Sequence, residues 1–199
     1  MERVAKRGLD LLFVLVCAPL ALLLAGPAAL AVKIDSPGPA LFLQQRIGKG
    51  GRPFVIVKLR TMVDQAAEIG AGLYLEKNDP RFTRVGLFLR RTSIDEVPQL
   101  WNVLKGEMSF VGPRPMPPFV VERYQDEYAR ILTARPGITG LAQVSGRNEL
   151  VRSERLAIDI DYAEHWSLWL DQRIVARTFA AVLSGDGQRF DMSEAELER

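Results

Sequence analysis

The longest apolar stretch of the chain runs from Leu11 to Val32 without a charged residue, long enough as a helix to cross a hydrocarbon core of about 30 Å. Basic residues flank it on both sides: Arg3, Lys6 and Arg7 before it, Lys33, Arg46, Lys49 and Arg52 after it. Three readings fit. The basic start and the Ala29-Leu30-Ala31 run have the layout of a secretory signal with its cleavage site. A plain spanning helix is the second, although basic flanks at both ends give it no orientation. In the third, Pro19 and Pro27 break the helix, so that the segment enters the membrane, bends and returns, leaving both basic flanks on the cytoplasmic side.

Beyond this segment the pattern changes to short elements. Ser36-Pro-Gly-Pro39 reads as a rigid turn, and Ala40 to Gln45 with Phe54 to Lys58 read as a hairpin around the Gly48 to Gly51 turn. Met62 to Ile69 predicts a short helix, and 70–84 irregular chain. Val85 to Arg90 is an apolar segment rimmed by cations, suited either to the core or to a headgroup layer. Helical spacing recurs over Pro117 to Ala134, Leu150 to Trp166 and Leu168 to Leu183, the last closed by Gly185. The whole predicts an α+β fold: a membrane anchor (1–35), a compact and mostly helical domain with a small sheet (36–185), and a polar tail (186–199).

Composition narrows the chemistry. A net charge of +2 over 199 residues gives no basic stripe for nucleic acid. The single cysteine, Cys17, lies in the apolar run, so no disulfide framework or cysteine metal site is available. His165 is the only histidine, which removes multi-histidine metal sites, and its neighbours Trp166 and Trp169 suggest a partly packed structural role.

The stretch Arg91 to Leu100, RTSIDEVPQL, sets Asp95 and Glu96 side by side. Ser93-x-x-Glu96 fits a capping box. Pro98 is better tolerated if Asp95 is the N-cap, which predicts a helix from Glu96 to Lys105 stopped by Gly106. Both acids then sit at the electropositive end, which serves equally a structural cap and a meeting point with phosphate. Cations recur where Gly and Pro pin the backbone: Lys58 and Arg60 at a strand end, Arg114 in VGPRP, Arg135 in ARPG and Arg147 in VSGR. Arginine offers a planar fork for phosphate, and a prolyl turn holds it cheaply. Adjacent acids are poorly placed to flank a sugar as a glycosidase pair does. An aspartate can instead attack phosphorus, and two anions meeting a diphosphate call for a divalent cation, for which Mg²⁺ suits oxygen ligands.

In order and spacing, DSPGP, QQRIG, VKLRTM, DPRFTRVGLFLRRTSIDEVPQLWNVLKGEMSFVGPRP, RPGITGLAQVSGR and DIDYAEHWSLWLDQRIVARTF resemble the bacterial sugar transferases, the monotopic polyprenyl-phosphate phosphoglycosyl transferases, in their minimal form. The resemblance runs from the anchor to about Leu183. It implies that Asp95 is the nucleophile taking a phosphosugar from a UDP-sugar with release of UMP, that Glu96 is linked to Mg²⁺, and that a polyprenyl (undecaprenyl) phosphate then accepts the phosphosugar, beginning a surface glycan such as a capsule, exopolysaccharide or O-antigen. It also implies substrate contacts by Lys58, by Arg90 or Arg91, by Arg114, Arg147 and Asp171, with Asp95 and Glu96 as metal ligands, and a site on the cytoplasmic face of the bacterial inner membrane among its lipids. Two departures stand out. Leu59 replaces the phenylalanine common in the VKLRTM motif, an apolar exchange. Ala18-Pro19 stands where many members have Ser-Pro, so a membrane break rests on Pro19 and Pro27 without hydroxyl support.

Two rivals remain open at this level. One is a membrane-anchored basic module that holds anionic headgroups without turnover. The other is a secreted hydrolase behind a cleaved signal.

Overall fold

The computed structural model describes residues 2–69, 79–145 and 150–183. Helix α1 (Glu2–Asp35) holds the apolar segment. A hairpin follows, β1 (Leu41–Ile47) antiparallel to β2 (Pro53–Leu59), with Phe42 opposite Lys58. Then come α2 (Arg84–Thr92), a 3₁₀ turn (Ile94–Gln99) running into α3 (Leu100–Lys105), β3 (Ser109–Val111), α4 (Pro118–Arg123), α5 (Gln125–Ile131), β4 (Gly137–Thr139), α6 (Leu141–Ser145), α7 (Arg152–His165) and α8 (Leu168–Leu183). The class is α+β, mostly helical, as the periodicity implies.

Strand β2 organises the first half because its side chains alternate. Phe54 and Ile56 are buried with Val14, Val103 and Met108. Farther along, Leu59 packs with Val32 and Leu89. A second layer joins α4, α5 and α7 through Val120, Tyr128, Ile131 and Leu156. A third joins β3, α7 and α8 through Val111, Tyr162 and Ile174.

Both ends of α1 are built into this domain. Near its start, Arg7 donates to the carbonyls of Val103 (2.6 Å) and Leu104 (2.9 Å) at the end of α3, which need partners outside the helix. Asp10 is buried, and its Oδ1 accepts from the Ser109 hydroxyl and the Phe110 N–H, each at 2.9 Å. At the far end the Asp35 carboxylate accepts from Val85 N–H (2.9 Å) in the first turn of α2. Between these anchors Leu15, Val16, Leu20, Leu22 and Leu23 are exposed. Cleavage after Ala31 would therefore strip Asp10 and Val14 from the folded core, which argues against a signal peptide.

Several elements differ from their sequence expectation. The expected break of α1 into two helices is not there: the helical run continues through Pro19 and Pro27. A proline removes one hydrogen bond and pushes on the carbonyl a turn earlier, which bends a helix without ending it. The expected helix over Met62 to Ile69 shrinks to a 3₁₀ turn (Ala66–Glu68), because Met62 instead bridges to Phe82. The single helix over Pro117 to Ala134 is two, parted at Tyr124 with ψ of 52°. The apolar Val85 to Arg90 segment is α2, capped by the Thr83 hydroxyl on Gly86 N–H at 2.9 Å. Its neighbour Thr61 passes so close that a Cβ on Gly86 would lie 1.8 Å from the Thr61 carbonyl oxygen.

Candidate active site

The two acids sit on the 3₁₀ turn, and their placement corrects the sequence reading. Helical structure begins at Ile94 after Ser93, which adopts a left-handed φ of 57°, so Asp95 lies inside the first turn instead of capping it. Pro98 has no N–H for an α-helical bond, and the chain uses the tighter turn, with Glu96 N–H on the Ser93 carbonyl at 3.2 Å. Gly106 ends α3 with φ of 81°, as expected.

Residues three apart eclipse in a 3₁₀ turn, and this turn packs on β2. Glu96 meets Lys58: the ammonium donates to Glu96 Oε1 at 2.7 Å, both groups mostly shielded. One turn of α3 beyond, Asn102 is fully buried, its amide accepting from Val57 N–H (3.1 Å) and donating to the Val55 carbonyl (2.7 Å). Asn102 thus replaces a missing neighbouring strand along the open edge of β2 and fixes the register between Glu96 and Lys58. A lone asparagine in an apolar helix gave no sequence signal of this role.

Arg114 reaches the same carboxylate oxygen from another segment, its Nη1 3.8 Å from Glu96 Oε1. It is held by a crossing of two glycine-rich segments. Gly112 N–H donates to the Thr139 carbonyl and Gly137 N–H to the Pro113 carbonyl, each at 2.9 Å. A Cβ on Gly112 would lie 2.2 Å from the Arg135 oxygen, and one on Gly137 2.1 Å from Gly112 nitrogen. That contact explains why the VGPRP and RPG segments need glycine, and it produces the parallel pair β3–β4, too short to be read from the sequence. Arg135 leads into this crossing and is half-buried.

Three cation assignments divide differently. Arg90 lies over the Phe82 ring at 4.9 Å in the last turn of α2, with Arg91 exposed beside it, shortly before the acids. Arg60, expected at phosphate, is turned to the backbone. It is 4% exposed, and its guanidinium donates to the carbonyls of Pro39 (2.6 Å), Ser36 (2.9 Å) and Met62 (3.3 Å) and to the Ser36 hydroxyl (2.8 Å). It ties the Ser36 to Pro39 turn to the end of β2. Arg147 lies outside the described residues.

Asp171, expected at the substrate, is committed elsewhere. It accepts from the Tyr162 hydroxyl (2.7 Å) and the Trp166 indole (2.9 Å) and pairs with Lys6. His165 is exposed and pairs with Asp161 at 2.9 Å, in place of the expected packing. A carboxylate that the sequence reading passed over is Asp159 on α7. Burial pushes it up to about 7, against the opposing pull of Arg155 and Arg114.

Chemically, the arrangement is one buried carboxylate, Asp95, 8% exposed, beside a second carboxylate held between an ammonium and a guanidinium. Among the described residues no group of three or more acids, histidines or cysteines forms a metal cage. The residues that could take part in holding a metal are Asp95 and Glu96, whose carboxylate oxygens are of the kind Mg²⁺ takes one or two of.

Residues 1–185 match the model of the bacterial sugar transferase family. The chain is 50% identical over 195 residues to the UDP-glucose:undecaprenyl-phosphate glucose-1-phosphate transferase of Caulobacter vibrioides, covering 91% of this chain and 70% of that protein. It is 41% identical over 200 residues to the undecaprenyl-phosphate galactose phosphotransferase of Salmonella typhimurium, covering 92% and 42%. It is 42% identical over 190 residues to a UDP-N-acetylgalactosamine-undecaprenyl-phosphate N-acetylgalactosaminephosphotransferase of Aeromonas hydrophila, covering 92% and 45%. The chain therefore spans less than half the length of the latter two. It belongs to the bacterial sugar transferase family, and is a transferase.

Proposed function

From membership of the bacterial sugar transferase family, we propose that this chain transfers a sugar phosphate from a UDP-sugar to a polyprenyl phosphate such as undecaprenyl phosphate, releasing UMP and starting a surface glycan. The observation that carries this reading is the pairing of Glu96 with both Lys58 and Arg114 directly beside the buried Asp95. A module that merely held anionic headgroups would gain nothing from pairing its cations with the Glu96 carboxylate.

In this mechanism the Asp95 carboxylate oxygen attacks the sugar-bearing phosphorus of the donor. A bond forms from Asp95 to phosphorus, the bond to the bridging oxygen breaks, and UMP departs with that oxygen. An oxygen of the polyprenyl phosphate then attacks the same phosphorus, forming the diphosphate and freeing Asp95. Lys58 and Arg114 would meet the negative charge that accumulates on the departing UMP, and preorganised cations are most effective at such points. Glu96 keeps both cations in place and is freed by degrees as phosphate oxygens replace it. Mg²⁺, when bound by Asp95 and Glu96, would neutralise the diphosphate and polarise its oxygens.

The acceptor is a lipid, so the site belongs at a membrane surface. A helix of 34 residues is about 50 Å long if straight. A helix that spanned would carry its ends to opposite sides of the bilayer, whereas Asp10 and Asp35 both hold the same domain. With the exposed leucines between them, this supports an α1 that dips into the cytoplasmic leaflet of the inner membrane and returns, bent at Pro19 and Pro27.

The test is to incubate membrane-extracted protein with UDP-glucose, UDP-galactose and UDP-N-acetylgalactosamine in turn, with Mg²⁺ and undecaprenyl phosphate, and to measure UMP. Release with one of these donors, lost in Asp95→Asn, supports the reading. No release with any of them counts against it.

A further inference from the structure

We infer that Lys6 and Asp171 act as one positioning unit that holds the Arg114 turn through the carbonyl of Val111, so that the seating of the membrane arm sets the arginine that meets the diphosphate. This rests on the proposed role of Arg114 at the donor.

The contacts converge on one oxygen. The Val111 carbonyl accepts from Lys6 Nζ at 3.0 Å, and the Tyr162 hydroxyl, whose one proton goes to Asp171, lies 3.2 Å from it. Asp171 orients both neighbours of that oxygen: it pairs with Lys6 and accepts from Tyr162, while the Trp166 indole donates to the carboxylate as well. Lys6 also lies 5.4 Å from the centre of the Trp166 ring. The ammonium donates to Val111 and Asp171 and lies within 3.3 Å of the Tyr162 oxygen, so neither charge is left uncompensated.

Val111 begins a stiff path to the site. Gly112 N–H is fixed to Thr139, the Pro113 carbonyl to Gly137, and both Pro113 and Pro115 have restricted φ. There is no room for Gly112 to shift toward Arg135, which it already touches. A displacement of the Val111 carbonyl is therefore passed on to Arg114 instead of being absorbed. At the other end, Lys6 lies five residues before the uncharged run that begins at Leu11. The depth of α1 in the bilayer and the position of the ammonium are thus mechanically linked. A staple that only held α8 to α1 would need Asp171 and Lys6 but no shared contact with the strand that carries the PRP turn.

The experiment uses the full chain in lipid nanodiscs, as K6M, D171N and the double variant. The amide introduced by D171N retains an acceptor and the shape of the acid, so this variant carries the test if K6M fails to fold. Expected are a donor KM raised about tenfold, an ordinary size for such coupling, with kcat little changed, and an unaltered membrane fraction. Amide hydrogen exchange over 109–116 should quicken, and the double variant should be no worse than the worse single one. Folded variants with unchanged KM and unchanged exchange over 109–116, or effects of the two substitutions that simply add, overturn the inference. If the wild-type chain turns over no UDP-sugar, the functional reading fails by itself, and exchange over 109–116 alone decides whether Lys6 and Asp171 hold the Arg114 turn.

Discussion

Lys58 Nζ stands 2.7 Å from Glu96 Oε1 across the contact between β2 and the 3₁₀ turn. Residues 38 positions apart are thereby brought together by packing, and Arg114 approaches the same oxygen from a third segment. Lys58→Met should lower kcat/KM for the donor by about 10²- to 10³-fold, the size seen when one preorganised stabiliser of developing charge is removed. Glu96→Gln, which releases both cations, should lose activity similarly, and the double variant should lose less than the product of the two. Steady-state kinetics on the four proteins checks this cycle.

Gly112→Ala places a methyl group 2.2 Å from the Arg135 oxygen. The β3–β4 pair must part to make room, at a cost of about 1–3 kcal/mol or more. Thermal unfolding should show the loss of stability, and the residual activity should show a raised donor KM because Arg114 shifts with the turn.

Asp159 gives a pH dependence with a definite sign. Burial raises its folded-state value to about 7, so the folded chain binds more protons than the unfolded chain between the ordinary aspartate value and about 7. Its contribution to stability is greatest below that ordinary value and is lost as pH rises toward 7, flattening above it. Asp159→Asn should remove this slope and melt higher than wild type at pH 8, as melting curves from pH 5 to 8 would show.

Chelation of divalent ions should abolish UMP release, and added Mg²⁺ should restore it. Because Glu96 is already neutralised by Lys58 and Arg114, metal removal should leave the melting temperature nearly unchanged when no nucleotide is present.

The parts of this molecule legible in the sequence are those with long periodic signals or turn chemistry. Helix α8 runs over Leu168–Leu183 as its spacing predicts, and the β1–β2 hairpin is where Gly48 to Gly51 mark it. The Asp-Glu pair with Lys58 and Arg114 is also legible, through motif order. Arg60 is not, because a guanidinium at a strand end looks the same in sequence whether it faces phosphate or backbone carbonyls. Asp171 is hidden for a related reason, since its partner Lys6 is 165 positions away. Asn102 and Asp159 carry their roles through burial, which a single polar letter within a helix does not reveal.

The proposed transfer turns on a bond from Asp95 to phosphorus. Wild-type protein incubated with the donor it turns over and Mg²⁺, but without polyprenyl phosphate, should gain the mass of one sugar phosphate on the peptide containing Asp95, and Asp95→Asn should gain none. An adduct on another residue, or UMP release that depends strictly on the polyprenyl phosphate and leaves no adduct, would rule out Asp95 as the nucleophile.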